Sequence, residues 1–383
     1  MSPAVEVRPV LSSRDLEQFI RFPFQLYRND PYWVPPLLDE RRKFLSPRHN
    51  PFFDHADVAL WLAWRNGQVV GTISSHVDHL HNQVHEEKTG MFGFFETVDD
   101  YQVAEALLTT ARDWVRSKGM NALRGPLSFS QNHEVGMLLE GEPGPPMVMM
   151  PYNPPYYNEF VERFGLTKVM DVYAYVADLS QFHGDPSGLP EKLVRVTNLA
   201  KERAGIVTRR PRMKDFDAEL QRAKQVYNQA WVRNWGFVPM TDAEVDKLAG
   251  DLKQILDPRL CVIVEAGERP VGLSVCVPDV NQVLKHLNGR LFPLGWLKAL
   301  WYARKITGAR LMIMGVVEDF RGHGVEAVLM YETVRSAIES GYTAIEFSWI
   351  LETNEMMNRI IVKVGGPYGA RRYRTYRIYQ MPV

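Results

Sequence analysis

Gly315-Val316-Val317-Glu318-Asp319-Phe320-Arg321-Gly322-His323-Gly324-Val325-Glu326 decides how this chain is read. The pattern predicts an apolar strand, a short turn and the first residues of a helix. Gly322 and Gly324 let the backbone take conformations closed to other residues and come close to a ligand. The first N–H groups of the following helix have no acceptor within it, and with the helix dipole they favour an anion such as a pyrophosphate. Arg321 adds a fixed positive charge at the entrance. His323, inside the turn, either adds charge there or is a tolerated exposed residue.

Working outward, the segment proves to be half of a repeat. Arg8-Pro9 followed by Asp15 and Glu17 recurs as Arg210-Pro211 followed by Asp217 and Glu219. Val58–Asp78 reads as a strand, an Asn66-Gly67 turn and a second strand, a hairpin signal that recurs over Leu260–Asp279 around Gly267-Glu268. Asn158, Gly165 and Tyr173 match Asn358, Gly365 and Tyr373. Each copy then predicts an apolar strand (Met91–Glu96; Arg310–Val317), an amphipathic helix (Val103–Lys118; Val325–Ser340) and another strand (Ala122–Leu127; Ala344–Ile350). Aligning the helices on Leu107-Leu108 and Val328-Leu329 puts Asp100, Tyr101 and Val103 opposite Arg321, Gly322 and Gly324. Side chains, one a carboxylate, then stand where an anion would sit in the first copy.

The whole chain agrees with two domains. Its 383 residues exceed a typical single core. The 45 Lys and Arg balance the 45 Asp and Glu, so bulk electrostatics do not favour nucleic acid. Two cysteines, Cys261 and Cys276, are too few for a disulfide scaffold or a thiolate metal site. His76, His79, His81 and His85 with Asp78 match no metal-ligand spacing and read as a solvated connection, so no metal is expected. Neither a signal peptide nor an apolar run of about 18 residues is visible, so a cytoplasmic protein is expected.

The element order β–α–α–β–β–β–α–β–α–β, with R-x-x-G-x-G/A after the fourth strand, resembles the GCN5-related N-acetyltransferase (GNAT) superfamily over essentially the whole chain as a tandem pair. The family's second motif, N-x-x-A-x-x-x-Y-x-K-x-G-F, is matched by Asn354, Lys363 and Gly365. The resemblance implies Val316 and Val317 for pantetheine, and Arg321, Gly322, His323, Gly324, Val325 and Glu326 for the coenzyme A pyrophosphate, with Asn354 also assigned to the cofactor site. Two positions depart from the pattern. Glu326 stands where Gly or Ala is usual, as Glu105 does in the first copy, and Ile361 stands where a Tyr often protonates the leaving thiolate.

The expected fold is α/β: two tandem GNAT-like domains, each a mixed, mainly antiparallel twisted sheet flanked by helices. Residues 1–180 form a degenerate N-terminal copy, 181–205 a linker with a connecting helix, and 206–383 the acyl-CoA-binding copy. The expected activity is transfer of an acetyl or longer acyl group from acyl-CoA, as co-substrate, to an amine by direct attack in a ternary complex. Glu318 or Glu352, at strand ends, assists deprotonation; Glu346 on the strand between them is a further acid. Trp231, Asn234, Trp235 and Phe237 are expected to border a small-molecule amine or hydrophobic acceptor. Leu291–Tyr302 reads as a lid, an acyl pocket, a membrane-surface helix or packing against the first copy. A coenzyme-binding sensor and a Fem-type aminoacyl transferase are the competing functions; a monomer or homodimer is expected.

Overall fold

The computed structural model describes residues 4–232, 234–366 and 369–383. The chain forms two compact units: Met1–Val172 with Val283–Trp301 and Arg374–Val383, and Tyr173–Gln282 with Tyr302–Tyr373.

In the first unit β1 (Glu6–Pro9) leads into helices α1 (Ser13–Leu26) and α2 (Leu38–Phe44). Ser12 caps α1 in a reciprocal box with Asp15, satisfying amides that the first turn leaves free. The hairpin β2 (Ala56–Arg65) and β3 (Gln68–Asp78) turns at Asn66 and Gly67, whose φ of 52° and 76° are those of a primed turn matched to strand twist. A short helix α3 (His79–His85) precedes β4 (Thr89–Thr97), and α4 (Tyr101–Ser117) then returns to β5 (Ala122–Gly125). The apolar stripe Val103, Leu107, Leu108, Val115 on α4 is fully buried, each side chain contributing roughly 2 kcal/mol of transfer free energy. Strands β6 (Leu127–Ser128), β7 (Glu134–Val135) and β8 (Met137–Gly141) follow, then α5 (Tyr156–Phe164) and β9 (Thr167–Asp178). One core lies under α4 and α5; a second, containing Phe19, Leu38, Phe52 and Phe129, lies under α1 and α2.

The second unit repeats the plan. Helix α6 (Glu191–Ala204) precedes β10 (Ile206–Arg209), α7 (Phe216–Ala230) and α8 (Asp242–Lys253). The hairpin β11 (Val262–Ala266) and β12 (Arg269–Pro278) turns at Gly267. In the chain, helices α9 (Asn281–Leu284) and α10 (Gly295–Ala303), whose residues Val283–Trp301 are counted with the first unit, separate it from β13 (Gly308–Val316), which is followed by α11 (Val325–Glu339), β14 (Ala344–Leu351) and α12 (Glu355–Ile360). Strands β10 to β13 pair antiparallel in sequence order, and β14 joins β13 in parallel.

The closing strand β15 (Arg371–Pro382) departs from a simple cut at the 181–205 linker. Its residues from Arg374 onward are counted with the first unit, because Tyr379 and Pro382 pair antiparallel with Gly125 and Ala122 of β5. Arg377 also makes a two-pronged ion pair with Asp171, at 2.8 and 3.1 Å.

Strand registers make the duplication concrete. Thr89 lies beside Ala122 as Gly308 lies beside Ala344, and Gly71 faces Thr97 as Gly272 faces Val316. The Val98 N–H donates to Val70 O at 3.1 Å, and the Val317 N–H donates to Val271 O at 3.0 Å. Thr89–Val98 and Gly308–Val317 are therefore one strand present twice.

Candidate functional site

Strand β13 ends in buried Val316 and Val317, which pack on Val325, Val328 and Leu329 of α11. The chain then makes a short 3-10 turn over Glu318–Phe320 and passes Gly322 (φ 75°) to Gly324 (φ 86°), which occupies the N-cap of α11. Glycine at that cap supplies no side-chain acceptor, so the first amides of α11 are left to a ligand or solvent. The corresponding helix of the first unit is closed: the Asp100 carboxylate accepts the Gln102 N–H at 2.9 Å and holds Arg65 at 2.6 Å. These partners keep the Asp100 carboxyl below its usual range, so an anion is already built into that helix terminus.

The loop is braced from behind. A Cβ on Gly324 lies 2.9 Å from Ala200 Cβ on α6, whereas one on Gly322 meets nothing within 4 Å. Arg321 donates to the Val316 carbonyl at 3.4 Å and to the Ala230 carbonyl, tying the turn to the end of α7. His323 is exposed, with Nδ1 3.0 Å from the Arg321 carbonyl, and Glu326 sits in the first turn of α11. Two glycines at positive φ thus stand beside a helix N-terminus with no side-chain cap, an arrangement whose amides can receive an anion.

The sheet opens beside this loop. Pairing between β13 and β14 runs from Gly308/Ala344 to Leu311/Phe347; beyond it β13 stays bonded to β12 as far as Val316 while β14 runs on to Leu351. A buried network pins the base of the opening. Arg310 Nε donates to Ser348 Oγ at 2.8 Å and lies 3.5 Å from Glu346, which also accepts from Ser348 and from the Tyr373 hydroxyl. Both charged side chains are almost fully buried, so Glu346 is committed to this pair. Of the acids read from the sequence, Glu318 is exposed at the loop and Glu352 is half-buried just past β14. Asn354 caps α12, accepting the Met357 N–H at 3.3 Å, and Ile361 is buried in the core rather than turned toward a reacting group.

The acceptor-side candidates fall together after α7. The Trp231 ring fills the space that a Cβ on Gly315 would need, its nearest atom 2.3 Å from that position. Phe237 is buried, and both it and Trp231 pack on Tyr227, with ring centroids 5.5 and 4.9 Å away. Asn234 closes the turn between them through its backbone, bonded to Trp231 O at 2.8 Å and to the Phe237 N–H at 3.1 Å; Trp235 is half-buried. Arg233 lies outside the described residues.

The first unit holds a constellation that the sequence reading did not single out. At the strand position equivalent to Gly315 stands Glu96, whose Oε2 accepts from the Tyr27 hydroxyl at 2.6 Å and the Tyr157 hydroxyl at 2.8 Å. Desolvation pushes its carboxyl up to about 7 against those two hydrogen bonds, Glu134 pushing the same way and Arg41 opposing. A lone acid in the apolar run Gly90–Thr97 was the available signal.

Other candidates resolve into structure. His76 and His81 are buried, His76 Nε2 lying 2.7 Å from Phe129 O, and burial lowers both imidazoles to about 4. Among the described residues, no group of three or more His, Cys, Asp or Glu converges as a metal site. Cys261 is buried and its thiol is pushed up to about 12, which removes it as a nucleophile at neutral pH. A cavity of 680 Å³ lined by Arg209, Phe216, Glu219 and Glu265 includes no residue of the 315–326 loop. No helix among the described residues is long and apolar enough to cross a membrane.

Two copies of this strand–turn–helix frame, the second with Gly324 at the helix N-cap where the first has Asp100, define a tandem GNAT fold. The chain belongs to the family of the bacterial ceramide synthase of Caulobacter vibrioides (strain NA1000 / CB15N), with which it is 38% identical over 383 residues, 98% of this chain and 97% of that protein. It is 35% identical to protein YghO of Escherichia coli (strain K12), over 98% of this chain and 95% of that one. No protein-family model matches the chain. Among solved structures it resembles a tandem GNAT protein from the clavulanic acid biosynthesis pathway (TM-score 0.57, 14% identity, 99% of this chain and 98% of that one). It also resembles a GCN5-related glucosamine N-acetyltransferase region in a fungal multi-domain GH3 beta-N-acetylglucosaminidase, at TM-score 0.59 and 13% identity; all of this chain aligns, spanning 38% of that one. At these identities the structural likeness is one of fold.

Proposed function

We propose that the second unit binds an acyl-CoA and transfers its acyl group to the amine of a long-chain acceptor. The observation that carries this reading is the uncapped N-terminus of α11 behind Gly322 and Gly324, beside a sheet that opens after Leu311 and Phe347. In this reading the amides from Gly322 to Glu326 hold the pyrophosphate, and the Val316–Val317 backbone runs along the pantetheine arm. The acceptor nitrogen attacks the thioester carbonyl, the carbon–sulfur bond breaks and the thiolate leaves. The ammonium proton passes to Glu318 or Glu352, directly or through water. Ile361 offers no proton to the thiolate, so departure relies on the thioester's own leaving group or on another donor. Support for a long-chain amine comes from a relative, identical at 38% of positions, that is named a bacterial ceramide synthase.

Calorimetry with acetyl-CoA and a long-chain acyl-CoA, followed by thiol release with a sphingoid amine, tests the reading. Binding with amine-dependent thiol release supports it. No binding to folded protein overturns it, and binding without release across an amine panel turns the protein into a sensor.

A second reading has Glu96 behind it. A carboxyl pushed up to about 7 is matched to taking a proton at ordinary working pH. In that reading Glu96 serves proton transfer within the first unit itself, activity rises with pH through about 7, and Glu96→Gln removes that limb. An unchanged pH profile in the variant ends it.

A further inference from the structure

We infer that residues 290–305, with α10 at their centre, dock the protein onto an anionic phospholipid bilayer. The exposed apolar surface of the molecule is concentrated there. Phe292, Leu294, Trp296, Leu297, Leu300 and Trp301 are 42–70% exposed, six of the fifteen exposed large hydrophobic residues among the described ones. No residue of α10 is buried. Packing against the first unit accounts for the segment's root and not for its tip. Val283 and Leu287 are buried, the Leu38 N–H donates to Gly289 O at 3.0 Å, and Gly289, at φ 74°, lies so close to Phe24 that an added Cβ is 2.8 Å from the ring. Beyond Arg290 the chain carries its aromatic and leucine side chains outward on a fixed base.

The charge pattern selects the occupant. From Val280 to Val317 the sequence contains no Asp or Glu, while Lys285, Arg290, Lys298, Arg304 and Lys305 are all exposed. Lys285 and Lys298 both act on His286, placing the two cations about one imidazole. Trp and Leu on a short helix with Lys and Arg around it is the composition of an interfacial element, the rings sitting at headgroup depth and the cations meeting lipid phosphates. A symmetric contact between two copies through this face is disfavoured, because it sets the same five cations against themselves. The inference stands on exposure and charge and is independent of the proposed reaction, since its test reads binding and not turnover.

The test is co-sedimentation of the full chain with vesicles of phosphatidylcholine alone and of phosphatidylcholine with about one-third phosphatidylglycerol. The expected result is binding to the anionic vesicles that weakens as salt rises, with a blue shift of tryptophan emission. A Lys298→Ala/Arg304→Ala/Lys305→Ala variant is expected to bind these vesicles about a hundredfold more weakly at low salt. A Trp296→Ser/Leu297→Ser/Leu300→Ser/Trp301→Ser variant, checked for fold by circular dichroism, loses the emission shift and the binding. Wild-type protein left in the supernatant at low salt overturns the inference. So does equal pelleting of wild type and both variants, or an apolar variant whose main effect is to turn a dimer into a monomer.

Discussion

Thr89–Val98 of the first unit and Gly308–Val317 of the second are the same strand built to different ends. Gly93 of the first lies where a Cβ falls 1.9 Å from Leu127 O, so the segment after β5 sits directly against β4; the second has Met312 at this position. Three residues further on, the first places Glu96 under Tyr27, the residue that ends α1, and the second places Gly315 under Trp231, the residue that ends α7. At the following helix Asp100 caps α4 with its own carboxylate, whereas Gly324 leaves α11 uncapped. Duplication kept the frame, while one copy closed the helix terminus with its own carboxylate and the other left it without a side-chain cap.

The sharpest contrast in stability lies at the base of the strands. Glu346→Ala leaves Arg310, 3% exposed, without its carboxylate and is expected to cost about 3–5 kcal/mol in denaturant unfolding. Its counterpart position holds Arg124, 2.9 Å from the more exposed Glu87. Glu87→Ala also strands a buried cation, Arg124 being 5% exposed, but that guanidinium keeps Gln380 Oε1 at 2.7 Å and the carboxylate lost is the more solvated one, so the expected cost is about 2 kcal/mol. Equal losses break the comparison.

Gly324→Val puts a β-branched residue at φ 86° and against Ala200, and is expected to weaken acyl-CoA binding about a hundredfold or more by calorimetry. Asp100→Gly in the first unit is expected to leave that affinity unchanged. A third pair concerns packing. Gly93→Ala drives a methyl into the Leu127 backbone and is expected to cost about 2 kcal/mol, and Met312→Ala about half as much, both read as shifts in unfolding midpoint.

The smallest effect is a pH dependence. Glu96 is raised from 4.5 to about 7, so its contribution is complete below the unfolded value and is lost as pH rises through about 7. Discounted for its partial exposure, that loss is expected to be about 1–2 kcal/mol, accumulating between roughly pH 4.5 and 7. His76 and His81, lowered to about 4, act in the opposite sense, contributing fully above 6.5 and less as pH falls. The quantity to compare is therefore wild type against Glu96→Gln across the range; identical profiles count against the raised carboxyl.

What was legible in the sequence was local. The hairpins announced themselves through Asn66-Gly67 and Gly267, and the open loop through Gly322 and Gly324, because these positions need φ values that few residues adopt. Ile361 in place of Tyr was also visible, and its burial agrees with a packing role. What escaped depended on partners far apart in the chain. Glu96 meets Tyr27 and Tyr157 across 69 and 61 residues, and Glu346 meets Tyr373 across 27. The pairing of β15 with β5 escaped because alternation along a strand tells which face is buried and not which strand lies alongside. The aromatic run at 291–302 was seen, but its exposure was not, since composition alone does not separate an apolar helix that packs from one that stands out.

Amide hydrogen exchange of the full chain, with and without a long-chain acyl-CoA, tests the difference between the two copies most directly. The account predicts slowed exchange at Val317 and from Gly322 to Ala327, with Val98–Ala104 unchanged. Slowing at Val98–Ala104 in place of the second loop, or equal slowing at both, contradicts it.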